Sequence, residues 1–166
     1  DDLFTYAGLQ QLIDKYLVKN RSTGEIFETP QFAYMLIAMC LFDNIDEVKK
    51  AYDAYSTFKI NLPTPIMAGV RTTIKQFASC VLVDVEDDLD SIFSSLHAVG
   101  KYTARRAGIG LNMGRIRPIN APIRGGEVIH TGIIPYLKNF ESAVKSTSQN
   151  GLRGGSATVH VPFWHY

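Results

Sequence analysis

Between Arg105 and Glu127 the chain reads RRAGIGLNMGRIRPINAPIRGGE, where Gly108, Gly110, Gly114, Gly125 and Gly126 are interspersed with Arg105, Arg106, Arg115, Arg117 and Arg124. Glycine permits positive φ and close approach to the main chain, and arginine presents a planar fork of donors that fits phosphate oxygens. Pro118 and Pro122 exclude one continuous helix through the stretch. The combination points to a long, ordered loop that handles an anion, above all a phosphate. The bland alternative is a solvated connector, but Ile109, Leu111, Ile116, Ile119 and Ile123 are too many apolar residues for a disordered one. Cys80 is the one candidate for reactive chemistry, although a cysteine in a strand is more often inert core. Asp84, Glu86, Asp87, Asp88 and Asp90 form an acidic run that suits a cation, yet helix capping explains it more cheaply. His97, His130, His160 and His165 have no ligand-like spacing, so no metal site is expected.

These residues need elements to hold them. Apolar spacing predicts a helix over Leu3–Tyr16, then two short extended pieces around the turn Asn20–Gly24. Thr29-Pro30 reads as an N-cap and first helical proline, opening a helix to Phe42 that is apolar on nearly every side and therefore expected to be buried, with Cys40 as a small core residue. Asp43 caps a helix that runs to about Phe58, with Ile45, Val48, Tyr52 and Tyr55 inward. Asn61–Val70, NLPTPIMAGV, is read as non-helical because of its prolines. Phe77–Val85 is read as a strand, followed by a helix capped by Asp87 or Asp88 that runs to about Tyr102 and buries Leu89, Ile92, Phe93, Leu96 and Val99. After the glycine–arginine loop come a helix over Val128–Ser146, whose start Pro135 blurs, a second glycine-rich loop over Ser148–Ala157, and a strand over Thr158–Val161. This order predicts two parallel strands joined by a two-helix crossover.

Composition narrows the class. The chain has 166 residues, 46% hydrophobic and 20% charged, which is globular. A net charge of +1 gives no general affinity for nucleic-acid polymers, so a phosphate site must be a local arginine cluster. No apolar run approaches the roughly 20 residues that span a bilayer. Two widely spaced cysteines, Cys40 and Cys80, make no disulfide framework and suit the cytoplasm. Neither glycine-rich loop is a Walker A sequence. GIGLNMG spaces its glycines wrongly for a dinucleotide fingerprint and lacks a parent strand. The apolar end, VPFWHY, looks like a chain cut inside a larger fold.

From Leu62 onward the runs LPTPIMAGVRT, QFASCVLVDVEDDLDSI, RAGIGLNMGRIRPINAPIRGGE and KSTSQNGLRGGSATVHVPFWH resemble, in order and spacing, the catalytic large subunit of class I ribonucleotide reductase. FTYAGLQQL, KYLV and NRSTGEIFETPQF extend the resemblance over nearly the whole chain. It implies an α/β fold, with a helical lead-in over 1–60 and the opening strands of a ten-stranded α/β barrel over 61–166. It also implies reduction of ribonucleoside diphosphates to deoxyribonucleoside diphosphates in the cytoplasm. Cys80 matches one member of the redox-active cysteine pair. Thr64, Ser79 and Gly108 match substrate contacts. Asp87, Asp88 and Leu89 match the segment that binds a specificity effector, a deoxynucleoside triphosphate or ATP, here expected with magnesium. Arg117 and Arg124 match effector-phosphate positions. Gln149 and Arg153, in the second loop, match the side chains that read the substrate base. Expected partners are a metal-containing small subunit that supplies the radical, a thioredoxin- or glutaredoxin-type reductant, and a second copy of the chain, with no covalently bound cofactor.

The family's radical cysteine, the second cysteine of its redox pair, its radical-path tyrosines, its C-terminal cysteine pair and its ATP-cone domain have no counterpart in this sequence. The resemblance therefore implies a fragment, inactive alone. The alternative is a non-catalytic effector-binding and dimerisation module derived from the same family.

Overall fold

A computed structural model describes residues 2–20, 22–73, 75–147 and 154–165. The chain divides into two compact units, residues 1–77 and 78–166.

The first unit is helical: α1 (Tyr6–Lys15), α2 (Pro30–Leu41), α3 (Ile45–Ser56) and α4 (Thr64–Gly69). Thr5 caps α1 by accepting from the Gly8 amide. Between α1 and α2, Lys19 and Ile26 form an antiparallel bridge around a turn in which the Asn20 side chain accepts from the Ser22 and Thr23 amides and Gly24 takes a φ of 76°. Thr29 and Pro30 open α2 as expected.

Four expectations change here. Although α2 is apolar all round, Ala33, Tyr34, Ile37 and Ala38 are buried while Phe32, Leu36 and Met39 are exposed, and Cys40 lies with them on the surface. Asn44, not Asp43, caps α3, and Ile45 faces solvent while Val48 and Tyr55 enter the core. The proline-rich segment does form a helix. Pro65 falls in the first turn of α4, where backbone N–H groups have no helical partner to lose. Leu62, Ile66, Met67 and Val70 join the core of Leu12, Tyr34, Ile37 and Tyr55, which is why the first unit extends past residue 60.

One polar feature is buried with this core. Arg71 donates from one nitrogen to both Glu28 carboxylate oxygens at 2.8 and 2.7 Å, and from another to the Tyr16 carbonyl at 3.1 Å. Glu28 also accepts from the Val18 amide at 2.8 Å.

The second unit is built on three parallel strands, β1 (Cys80–Asp84), β2 (Gly108–Asn112) and β5 (Ala157–His160), in the order β1-β2-β5. Helix α5 (Leu89–Ala104) joins β1 to β2. A two-stranded hairpin, β3 (Pro122–Ile123) and β4 (Val128–Ile129), and helix α6 (Ile134–Thr147) lie between β2 and β5. The core comprises Val85, Ile92, Val99, Ile109, Leu111, Met113, Ile116, Phe140 and Val144.

The expected pair of parallel strands is thus a trio, and the missing member is the GIGLN part of the glycine–arginine stretch. Gly110 marks close packing rather than a loop: a Cβ there would lie 2.6 Å from Leu82 Cδ2 of the neighbouring strand. The helix expected from Val128 begins at Ile134, with Pro135 in its first turn, because Val128 and Ile129 pair in the hairpin instead. Helix α5 buries Ile92 and Val99 but leaves Leu89 57% and Phe93 54% exposed, so its apolar surface exceeds what the sheet and α6 cover.

Candidate functional site

Apart from Arg124, the described candidates of the second unit fall at two ends of the same strands. Ser79, Cys80 and Gly108 lie together at the amino edge. Cys80 is in register with Gly108, and the Gly108 amide donates to the Ser79 carbonyl at 2.8 Å. The Cys80 thiol is free and exposed, so it is open to exchange with another thiol. Its exposure follows from the alternation along β1: Cys80, Leu82 and Asp84 share the uncovered face of the strand, while Val81 and Val83 turn toward the core. Thr64 belongs to the first unit, where its hydroxyl is hydrogen-bonded to the Tyr16 phenol at 2.9 Å. Gln149 and Arg153 lie outside the described residues.

The effector candidates gather at the carboxyl edge. Four residue steps separate Cys80 from Asp84, about 13 Å along a strand. Parallel sheets commonly bind ligands beyond their carboxyl ends. As β1 ends, Asp88 takes the N-cap of α5 and accepts from the Ser91 amide at 2.8 Å, while the Ser91 hydroxyl accepts from the Glu86 amide at 3.0 Å. Leu89 starts the helix. Asp87, freed from capping, binds Arg117. Its Oδ1 accepts the Arg117 amide at 2.9 Å, its Oδ2 accepts Arg117 Nε at 2.7 Å, and its carbonyl accepts a terminal guanidinium nitrogen at 3.3 Å. Both side chains are about one-third exposed, 36% for Arg117 and 32% for Asp87, so this is a partly solvated pair open to a ligand.

Arg124 stands apart at the tip of the β3–β4 hairpin. Its φ is 50°, ahead of Gly125 at 68° and Gly126 at 96°. A non-glycine residue in this left-handed region is strained by roughly 1–3 kcal/mol. Its guanidinium has no ion-pair partner among the described residues. The structure therefore joins Asp87, Asp88, Leu89 and Arg117 in one cluster, while no bond among the described residues ties Arg124 to it.

Several supporting residues escaped the sequence reading. Arg115 pairs with Asp84 and Glu86, and Asn112 donates to Asp84 at 2.8 Å, so most of the acidic run is matched by arginine or amide. His130 is buried. Its amide donates to the Ala121 carbonyl and its carbonyl accepts from the Asn120 amide, while its Nδ1 accepts from the Gly132 amide at 3.1 Å and its ring stacks on Tyr136. It thereby holds the base of the hairpin that carries Arg124. Histidine spacing, tested only for metal ligation, could not disclose this.

Two family models match the chain: the ribonucleotide reductase all-alpha domain over residues 2–75 and the ribonucleotide reductase barrel domain over residues 78–166. The chain belongs to the ribonucleotide reductase alpha-subunit family. It is 58% identical to ribonucleoside-diphosphate reductase 1 subunit alpha of Salmonella typhimurium and 57% identical to that of Escherichia coli K12, over 99% of this chain in both cases. Ribonucleoside-diphosphate reductase subunit alpha of Enterobacteria phage T4 is 52% identical over 98% of it. The chain spans only 22% of the length of each of these reductase subunits. The helical first unit and the parallel sheet of the second correspond to the all-alpha and barrel portions of the reductase fold. Among the described residues no helix is long and apolar enough to cross a membrane.

Proposed function

We propose that the chain is the effector-reading and thiol-bearing portion of a cytoplasmic ribonucleoside-diphosphate reductase, which converts ribonucleoside diphosphates to the deoxy forms. The observation that carries this reading is the placement of two chemically different groups on one short sheet. An accessible thiol stands at the amino edge and an acid–arginine cluster at the carboxyl edge.

At the amino edge, Cys80 supplies one of two thiols that reduce the substrate. The second comes from the remainder of the subunit, the pair ends as a disulfide, and a thioredoxin- or glutaredoxin-type dithiol restores it. Ser79 and Gly108 adjoin the thiol and line the substrate's path to it. The radical that starts the reaction is supplied by a separate metal-containing small subunit. At the carboxyl edge, Asp87 meets the sugar of a deoxynucleoside triphosphate or ATP bound with magnesium, Asp88 and Leu89 shape that edge, and Arg117 and Arg124 take the phosphates. The Ser148–Ala157 segment, with Gln149 and Arg153, carries the effector's identity to the substrate base, a coupling between distinct sites.

The exposed Leu89 and Phe93 on α5 and Ile134 on α6 support pairing of two copies through these helices. A non-catalytic effector-binding module is the second reading, supported by the position of the whole Asp87–Arg117 cluster within this chain.

The test uses the intact alpha subunit carrying this sequence with its small subunit. Cys80→Ser is expected to abolish multiple turnover of cytidine diphosphate with a dithiol reductant while dTTP still binds. Sustained turnover by the variant would remove Cys80 from the reaction.

A further inference from the structure

The exits of all three parallel strands meet at one peptide group. The Ile116–Arg117 peptide follows β2. Its N–H donates to Asp87 Oδ1, from the β1 exit, at 2.9 Å. Its carbonyl accepts from His165 Nε2, beyond β5, at 2.6 Å. A carbonyl can only accept, so Nε2 carries the proton, and the bond forms with either the neutral ring or the imidazolium.

The peptide unit is planar, so gripping both its oxygen and its N–H fixes its rotation and with it the direction in which the Arg117 side chain leaves the backbone. Hydrogen bonds in such a chain also polarise one another. The His165 end is itself anchored. The Met113 amide donates to the His160 carbonyl at 3.0 Å, and the His165 amide closes a turn onto the Pro162 carbonyl at 3.0 Å. Pro162 lies against Gly114 so closely that a Cβ there would stand 2.4 Å from Pro162 Cδ. The turn after β5 is therefore seated on the residues that lead into Arg117.

We propose that His165 is a positioning residue for the effector site: together with Asp87 it clamps the Ile116–Arg117 peptide and so aims the Arg117 guanidinium. This rests on the effector reading given above. It also gives β5, whose first residue ends the Ser148–Ala157 segment, a mechanical connection to the arginine that meets the effector.

The experiment is calorimetric titration of dTTP with magnesium into the intact alpha subunit and four variants. His165→Phe, which keeps ring bulk but has no donor, is expected to weaken binding roughly two- to tenfold, the worth of one hydrogen bond. His165→Gln, whose amide nitrogen can take the place of Nε2, is expected to retain wild-type affinity. In an Arg117→Ala background the His165→Phe effect is expected to vanish, because a residue that acts through Arg117 has nothing left to aim. If His165→Phe does not fold, His165→Asn, too short to reach the carbonyl, replaces it. Wild-type affinity in the donorless variant, or an unchanged penalty in the Arg117→Ala background, would overturn the proposal. Wild-type affinity of Arg117→Ala alone would instead remove the effector reading on which it stands.

Discussion

Arg117→Ala is the substitution whose consequences the structure defines best. In the free protein Arg117 already gives its Nε and one bond from a terminal nitrogen to Asp87, so the pair is formed before any ligand arrives. The guanidinium has five N–H donors, and the Asp87 contacts leave several of them to reach a phosphate. Effector binding then need not break the Asp87 pair, and the phosphate gains a charge-assisted bond at little cost in displaced contacts. Removing the guanidinium should cost that bond, about 1.5–3 kcal/mol, or roughly 10- to 150-fold in affinity. Loss of the Asp87 pair itself should destabilise the fold by only about 1 kcal/mol or less, because both side chains are about one-third exposed. Isothermal titration of dTTP into the intact subunit measures the first quantity and thermal unfolding the second. Equal affinities for wild type and variant would refute the reasoning, as would a loss of affinity that only follows a collapse in stability.

Arg71→Ala should destabilise the first unit by roughly 3–5 kcal/mol in denaturant unfolding, because it strands the Glu28 carboxylate, whose side chain is only 6% exposed; a loss below about 1 kcal/mol would make the pair a surface one in effect. Burial raises the Tyr34 and Tyr55 phenols above their ordinary value of 10.0. Their contribution to stability is therefore full below that value and is lost as pH rises through the folded-state values, because the unfolded chain releases these protons first. Alkaline unfolding followed by circular dichroism and phenolate absorbance checks this: exposed phenols such as Tyr6 ionise in the folded protein, and ionisation of the full set of eight tyrosines ahead of unfolding would contradict it. Sedimentation of the intact subunit should show a dimer favoured by dTTP, and Phe93→Glu on the exposed face of α5 should shift it toward monomer; an unaltered dimer would place the interface elsewhere.

Several local signals that one residue decides were readable in the sequence. Thr29-Pro30 opens α2, Asn20 and Gly24 make the first turn, and an aspartate caps α5. What could not be read depends on partners distant in sequence. Gly110 looks like a loop residue until Leu82 is seen lying over the position a side chain would take. Arg71 and Glu28 stand 43 residues apart and show no shared pattern. Residue type singled out Arg117 as a candidate anion ligand, but its pairing with Asp87, 30 residues earlier, required β1 and β2 to be neighbours. His165 carried no signal, because its role lies in the carbonyl it meets 49 residues away. The apolar excess of α2 was visible, but which face it would leave exposed was not.

The central claim is that the carboxyl edge of β1 and β2 holds a nucleotide effector. The most direct measurement is a crystal structure of the intact alpha subunit with dTTP and magnesium. Triphosphate oxygens are expected about 2.7–3.2 Å from nitrogens of Arg117 and Arg124, with the sugar beside Asp87. Nucleotide bound elsewhere, with the Asp87–Arg117 pair unchanged and both arginines free of phosphate, would contradict it.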